Sequence, residues 1–363
     1  MNLYSTLIRP LAFRLDPERA HHFAIAAGAS LGWAAGPMRA ATAVRDARLA
    51  TRIAGLDFPT PIGLAAGFDK SGTASRALAG LGFGAVEIGS VSVDPSEGNP
   101  KPRLWRMVED EAIVVHYGLP NEGASAIAER LKHTHLPVPL GVNLVVTNRG
   151  PRAASLKAYQ IIGEYADGAK SMAPFADYLM LNLSCPNTAD GHDFFADAGH
   201  LKACLDVLAA AKLHVPVFLK VSPLGGIAAI ERVLAAADAH DFVSGFMFNL
   251  PPTKPDGLRT ATETLRTMRG AVSGPPAARL ADFCIRETFR RMDRKRHVLV
   301  GAGGVFTAED AYAKIRLGAS LVQLLTALIY RGPGVVHDIT AGLARLLERD
   351  GVKNVSDAVG VDA

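Results

Sequence analysis

Cysteine is scarce in this chain. Cys185, Cys204 and Cys284 stand far apart and form no CxxC pair. This excludes a Cys-based zinc site, an iron–sulfur cluster and a disulfide framework, calls for no metal, and suits a reducing compartment. Charge is also sparse: 20% charged against 49% hydrophobic residues, with a net charge of +4 over 363 residues. That balance excludes disorder and supports a large buried core. No dense Lys/Arg stripe with interleaved aromatics offers a nucleic-acid surface. The densest basic run, Arg286 to Arg296, has the helical pattern of a solvated face. The small, apolar stretch 23–38 is broken by Gly28, Gly32 and Gly36, and it is shorter than the roughly 20 residues that cross a bilayer. Asp16 and Glu18 stand where a secretory signal would be basic.

What is present is a regular alternation. Apolar strand-like runs begin at Ile62, Ala85, Leu140, Tyr178, Val217, Gly245, Val298 and Ser320. Each precedes a helical pattern, over 71–81, 122–134, 155–173, 198–213, 226–240, 277–292, 308–317 and 333–349. Eight pairs in strict order predict an α/β fold, a (β/α)8 TIM barrel spanning 45–363. Residues 1–44 form a short N-terminal helical extension without a strand pattern, whose second helix opens at Pro17. Two placements fit it: amphipathic helices lying in a membrane surface, or a cap on the bottom of the barrel or against another subunit. The long connection 250–276, rich in Pro, Thr and Gly, reads as a lid or binding loop.

Polar residues gather at the strand ends: Gly67 and Lys70, Ser90, Asn143, then Asn182, Cys185 and Asn187, then Lys220, Asn249, Gly303 and Gly304, and Thr326. In a barrel of this kind those ends share one face, where active sites lie. Gly301 to Gly304, followed by Thr307 as helix cap, is suited to an anion, and Ser273-Gly274 and Thr326 can reach the same corner. Lys70 and Lys220 are strand-end lysines. Either they snorkel outward, or they point inward and meet an anion or polarised carbonyl. An inward lysine beside the N1–C2=O edge of a flavin would stabilise its anionic reduced form.

These residues lie in strings that resemble dihydroorotate dehydrogenases of the membrane-associated, quinone-using class: LAFRLDPERAHH (Leu11 to His22), GLAAGFDKSG (Gly63 to Gly72), FGAVEIGS (Phe83 to Ser90), GNPKPRLWR (Gly98 to Arg106), NLSCPNT (Asn182 to Thr188), GAGGV (Gly301 to Val305) and GASLVQ (Gly318 to Gln323). The likeness covers essentially the whole chain. It implies FMN as cofactor, with Ala66, Gly67, Lys70, Ser90, Asn143, Asn182, Lys220, Gly274, Gly303, Gly304 and Thr326 at flavin-contacting positions. Lys70, Asn182, Asn187 and Asn249 match positions that hold the pyrimidine, and Cys185 matches the base that removes the C5 proton as hydride leaves C6. The reaction implied is oxidation of dihydroorotate to orotate, a step of pyrimidine biosynthesis. The extension would form a hydrophobic mouth for quinone, with His21 and Arg106 near it. The enzyme would sit peripherally on the cytoplasmic face of the inner membrane.

The chain departs from the family pattern in several places. Cys185 replaces the serine usual in the quinone class, and cysteine is the base in the soluble class. A thiol, with a pKa of about 8.5, is a better proton acceptor than a hydroxyl. Val115 stands for an asparagine, and Val145-Val146-Thr147 replaces a GKN-type string. Phe248-Asn249-Leu250-Pro251 replaces TNTT, and Leu325-Thr326 a Tyr-Ser or Tyr-Thr pair. These polar-to-apolar changes leave two other readings: an FMN oxidoreductase for a less polar small ring, or a flavin-binding paralogue without turnover.

Overall fold

A computed structural model describes residues 3–185 and 194–363; Asn187 lies outside them. Eight parallel strands close into one barrel: β1 (Ile62–Leu64), β2 (Ala85–Val91), β3 (Leu140–Leu144), β4 (Tyr178–Asn182), β5 (Val217–Val221), β6 (Val243–Phe248), β7 (Val298–Gly301) and β8 (Ala319–Leu324). Neighbours in sequence are neighbours in space, and β8 closes on β1. The strands are buried on both faces, outward under helices and inward against each other, as their near-continuous apolar sequences require.

The extension opens with a short helical stretch, Tyr4–Ile8 and Arg9–Ala12, followed by α1 (Pro17–Ser30) and α2 (Ala35–Thr42). The barrel helices follow: α3 (Ser75–Ala79), α4 (Ala124–Leu131), α5 (Ala158–Met172), α6 (Ala198–Ala210), α7 (Gly226–Asp238), α8 (Ala278–Phe289), α9 (Ala308–Arg316) and α10 (Val335–Arg349). Cys204 on α6 and Cys284 on α8 are packing residues, and burial pushes both thiols up to about 12.

The bottom of the barrel is closed by a hairpin, not by the extension. Strands Thr51–Ile53 and Leu56–Phe58 turn through Ala54 and Gly55, both at positive φ, the geometry of a two-residue hairpin turn. Ile53 and Phe58 plug the interior against Ala85, Tyr178, Met180 and Phe218. Gly141 opposite Tyr178 cannot be larger, because a Cβ there would fall 2.1 Å from the tyrosine ring.

The extension lies instead along the upper wall. Asp16 caps α1 by accepting from Arg19 N at 3.0 Å. Gly28 permits close approach, since a Cβ there would meet Ala74 at 2.9 Å. Glu18 and Arg103, both buried, form a bidentate ion pair (2.7 Å to Nη2) joining α1 to the antiparallel strand Leu104–Met107. Breaking such a pair costs roughly 3–5 kcal/mol, because one buried charge is left alone. Arg39 of α2 donates to the carbonyls of Ala79 and Phe83. Among the described residues, no helix is long and apolar enough to cross a membrane.

The connection 250–276 is not free chain. It carries a short helix, Thr262–Thr267, and a strand, Ala271–Ser273, which pairs antiparallel with Ala112–Val115. Asp110 accepts from Arg259 N, Thr260 N and Thr260 Oγ1 and ties the segment down.

Candidate active site

A cavity of about 1150 Å³ opens at the C-terminal ends of the strands and continues under the extension. This exceeds the roughly 300–1,000 Å³ of one small-molecule pocket, so it has room for a cofactor, a substrate and an access path. Its walls include Ala66, Gly67, Lys70, Ser90, Asn182, Cys185, Lys220, Asn249, Gly303, Gly304 and Thr326, and also His21 and Arg106. The strand-end residues and the helical residues of the extension thus face one space.

At one corner Gly303 and Gly304 follow β7 at φ +90° and +75°, and Gly274 precedes α8 at +106°. Side chains at Gly304 would collide with Ala278 at 2.7 Å, so glycine lets the β7 turn lie against the start of α8. The hydroxyls of Ser273 and Thr326 meet there at 2.8 Å. Bare backbone, two hydroxyls and a helix start are the donors a phosphate needs. Gly274 itself is not part of the cavity wall.

Lys220 also lines the cavity. Burial lowers its ammonium pKa, while the Glu87 and Cys185 charges pull the other way. Gln323 also faces the cavity, and its buried Oε1 has no hydrogen-bond partner among the described residues. A cation and an orphaned acceptor fit a planar heterocycle carrying both carbonyl oxygens and an N–H, as a flavin ring does.

The substrate side is a chain of amides. Asn249 Nδ2 donates to Asn182 Oδ1 at 2.8 Å, and Asn182 Nδ2 donates to Ser90 Oγ at 3.3 Å. Ser90 Oγ donates to Asn143 Oδ1. Asn143 is fully buried and stands behind Ser90, not in the wall. Cys185, buried, sits beside these amides in the same cavity.

Lys70 joins the two halves. Its Nζ donates to Gly67 O at 2.9 Å, lies 3.3 Å from His21 Nε2, and sits 4.1 Å above the Tyr117 ring. Burial lowers the Lys70 pKa to about 8, against the pull of Asp69 and Glu18. Burial and the neighbouring charges of Lys70 and His22 hold His21 well below the usual imidazole range, so it accepts from the lysine. Arg106 grips the start of the extension, donating to Leu15 O at 2.9 Å and covering the Phe13 ring at 4.5 Å.

A family signature described as dihydroorotate dehydrogenase matches residues 48–347. The chain belongs to the dihydroorotate dehydrogenase family. It is 42% identical to the dihydroorotate dehydrogenase (quinone) of Sphingopyxis alaskensis, over 98% of this chain and 96% of that one. It is 37% identical to the enzyme of that name from Deinococcus deserti, over 99% of this chain and the whole of the other. A crystal structure of DHODH from Eimeria tenella in complex with ferulenol superposes with a TM-score of 0.83 at 28% identity, covering 96% of each chain.

Of the departures from the family pattern, Val115, Leu250, Pro251 and Leu325 line the cavity. Val145 and Val146 are buried outside it and leave its surface unchanged. Several important residues escape a reading of strand ends alone. Glu87, Tyr178 and Gln323 meet inside the barrel, and their signal is a polar side chain in an otherwise apolar strand. Glu18 and Arg103 pair across 85 residues, which no local pattern announces.

Proposed function

We propose that this chain is an FMN-dependent dehydrogenase that oxidises dihydroorotate to orotate and delivers the electrons to quinone. The observation that carries this reading is the single cavity joining Cys185, Lys70 and the Asn182–Asn249 amides to the apolar mouth under α1. FMN, when bound, would supply the hydride acceptor of this reaction and the route of the electrons to quinone. Gly303, Gly304, Ser273 and Thr326 are suited to hold its phosphate, and Lys220 to balance negative charge on its ring.

In this reading Cys185 takes the C5 proton. Lys70 meets the substrate carboxylate while it remains an ammonium, and His21 fixes its direction. The amides of Asn182 and Asn249 present donors and acceptors to the ring N–H and C=O groups, with Asn187 assigned the same role from its sequence position.

Residues 1–44 serve quinone access, with His21 and Arg106 at the mouth. Leu3, Leu7, Leu11, Phe23 and Trp33 leave large apolar surface exposed on this extension, which supports peripheral docking on a membrane at the quinone-bearing face. Burying them in lipid is favourable for the same reason that core burial is.

The test is anaerobic mixing of the FMN-loaded protein with L-dihydroorotate while the oxidised-flavin absorbance is followed. Fast bleaching, reversed by a soluble quinone, is the expected result. A flavin that dithionite bleaches and dihydroorotate does not would move the substrate to a less polar ring, a reading to which Val115, Leu250 and Leu325 in the wall lend support.

A further inference from the structure

Glu87 is fully buried in the middle of β2, just above an interior layer of Ala85, Met180, Phe218, Met247, Val300 and Leu321. A carboxylate in such a place is costly unless its oxygens are hydrogen-bonded. Three side chains supply the bonds. Tyr178 Oη donates to Oε2 at 3.1 Å, Gln323 Nε2 to Oε2 at 2.8 Å, and Asn143 Nδ2 to Oε1 at 3.1 Å.

The third bond begins a directional chain. A carboxylate only accepts, so Asn143 must turn its NH2 toward Glu87 and its carbonyl toward Ser90. The Ser90 hydroxyl then has to donate to Asn143, which leaves its oxygen to accept from Asn182 Nδ2. Asn182 must therefore turn its carbonyl toward Asn249, whose NH2 also reaches Ser184 O at 3.0 Å. Every hydrogen in the series points toward Glu87. Reversing one amide would bring two donors or two acceptors together in a buried site, which the network resists.

We propose that Glu87 is a positioning residue: through Asn143 and Ser90 it helps fix which edge of the Asn182 amide meets the substrate ring, while the Asn249 amide is held by Leu250 N, which donates to its Oδ1 at 2.9 Å, and by Ser184 O. Glu87 touches neither substrate nor cofactor. It thereby helps set the order of donors and acceptors offered to a ring carrying alternating N–H and C=O groups, and this rests on the dihydroorotate reading above. Gln323 brings the same carboxylate to the cavity wall, so the chain's end and its working face lie on one surface.

Two variants separate this role from simple packing. Glu87→Met fills similar volume but offers no strong acceptor to Asn143; Glu87→Gln keeps a carbonyl that can face it. In the FMN-loaded protein, the dissociation constant for orotate is read from its perturbation of the flavin spectrum. It is expected to rise about tenfold in E87M, a difference of about 1.4 kcal/mol, and to stay near wild type in E87Q. Unchanged affinity in E87M, or equal loss in both, overturns the proposal. If E87M does not fold, Ser90→Ala cuts the chain one link further on and is expected to give the same loss; wild-type affinity there overturns it as well.

Failure of the dihydroorotate reading would appear differently, as wild-type protein that does not bind orotate. In that event, hydrogen exchange of side-chain amides in 15N-asparagine-labelled protein supplies the test. The Asn143 NH2 is expected to be protected in wild type and E87Q and to exchange faster in E87M. Equal exchange in all three would overturn the role of Glu87 whatever the substrate.

Discussion

At the barrel end of the cavity, Ser90, Asn182 and Cys185 are buried, and the amide orientations are fixed by a chain of hydrogen bonds. At the helical end, Leu11 is 63%, Phe23 66% and Leu31 44% exposed. The first end works by direction: a misoriented amide or unpaired donor in a buried site loses roughly 1–3 kcal/mol, so each group is held by a neighbour. The second works by area, and apolar burial has no preferred angle. A ring with polar edges suits the first, and a long apolar acceptor suits the second. Lys70 and His21, 3.3 Å apart, stand where the two meet.

The largest effect should come from the directional end. Cys185→Ala is expected to leave FMN bound and slow flavin reduction by dihydroorotate roughly 100- to 10,000-fold, the usual range for loss of a general base. Stopped-flow bleaching near neutral pH measures it, and rapid bleaching would remove Cys185 from that role. Removing residues 1–44 should separate the ends. Reoxidation by quinone is expected to fall while reduction by dihydroorotate persists, seen by following the two half-reactions in turn. If quinone turnover were untouched, the helical mouth would not be the route.

A smaller effect belongs to the junction. Because burial lowers the Lys70 pKa to about 8, its ammonium is present below that pH and is lost as pH rises through it. A carboxylate substrate then loses its counter-charge, so kcat/KM for dihydroorotate should fall on the alkaline side of about 8, by at most tenfold per pH unit. For stability the sign is opposite. The unfolded lysine holds its proton up to about 10.4, so between these values the neutral buried form favours the fold as pH rises. A flat kcat/KM profile from pH 7 to 9 would detach Lys70 from the substrate carboxylate. The mildest change concerns Val115, which lines the cavity. Val115→Asn should lower the KM for dihydroorotate about fivefold, near 1 kcal/mol for one added hydrogen bond. A raised KM would favour a less polar natural ring.

Much of the barrel was legible because strand and helix periodicities differ and parallel strands are apolar throughout. The strands begin at Ile62, Ala85, Leu140, Tyr178, Val217 and Val298 as their patterns predict. β6 begins two residues earlier than expected, at Val243, and β8 one earlier, at Ala319. Of the two placements open to the extension, the cap on the bottom of the barrel is not the one taken. A short hairpin at Thr51–Phe58 does that work. The connection 250–276 likewise hid a strand whose partner, Ala112–Val115, lies far away in sequence.

Sequence by itself determined the alternation, the face on which the polar strand ends gather, and the strings that mark the family. Those are local properties, written in residue type and spacing. Only the tertiary structure decided that Asn143 stands behind Ser90, that Glu87 ends the amide chain, and that α1 roofs the same cavity through Glu18 and Arg103. Hydrogen-bond direction and burial depend on which atoms closure of the barrel brings within 3 Å or so, and no spacing along the chain encodes that.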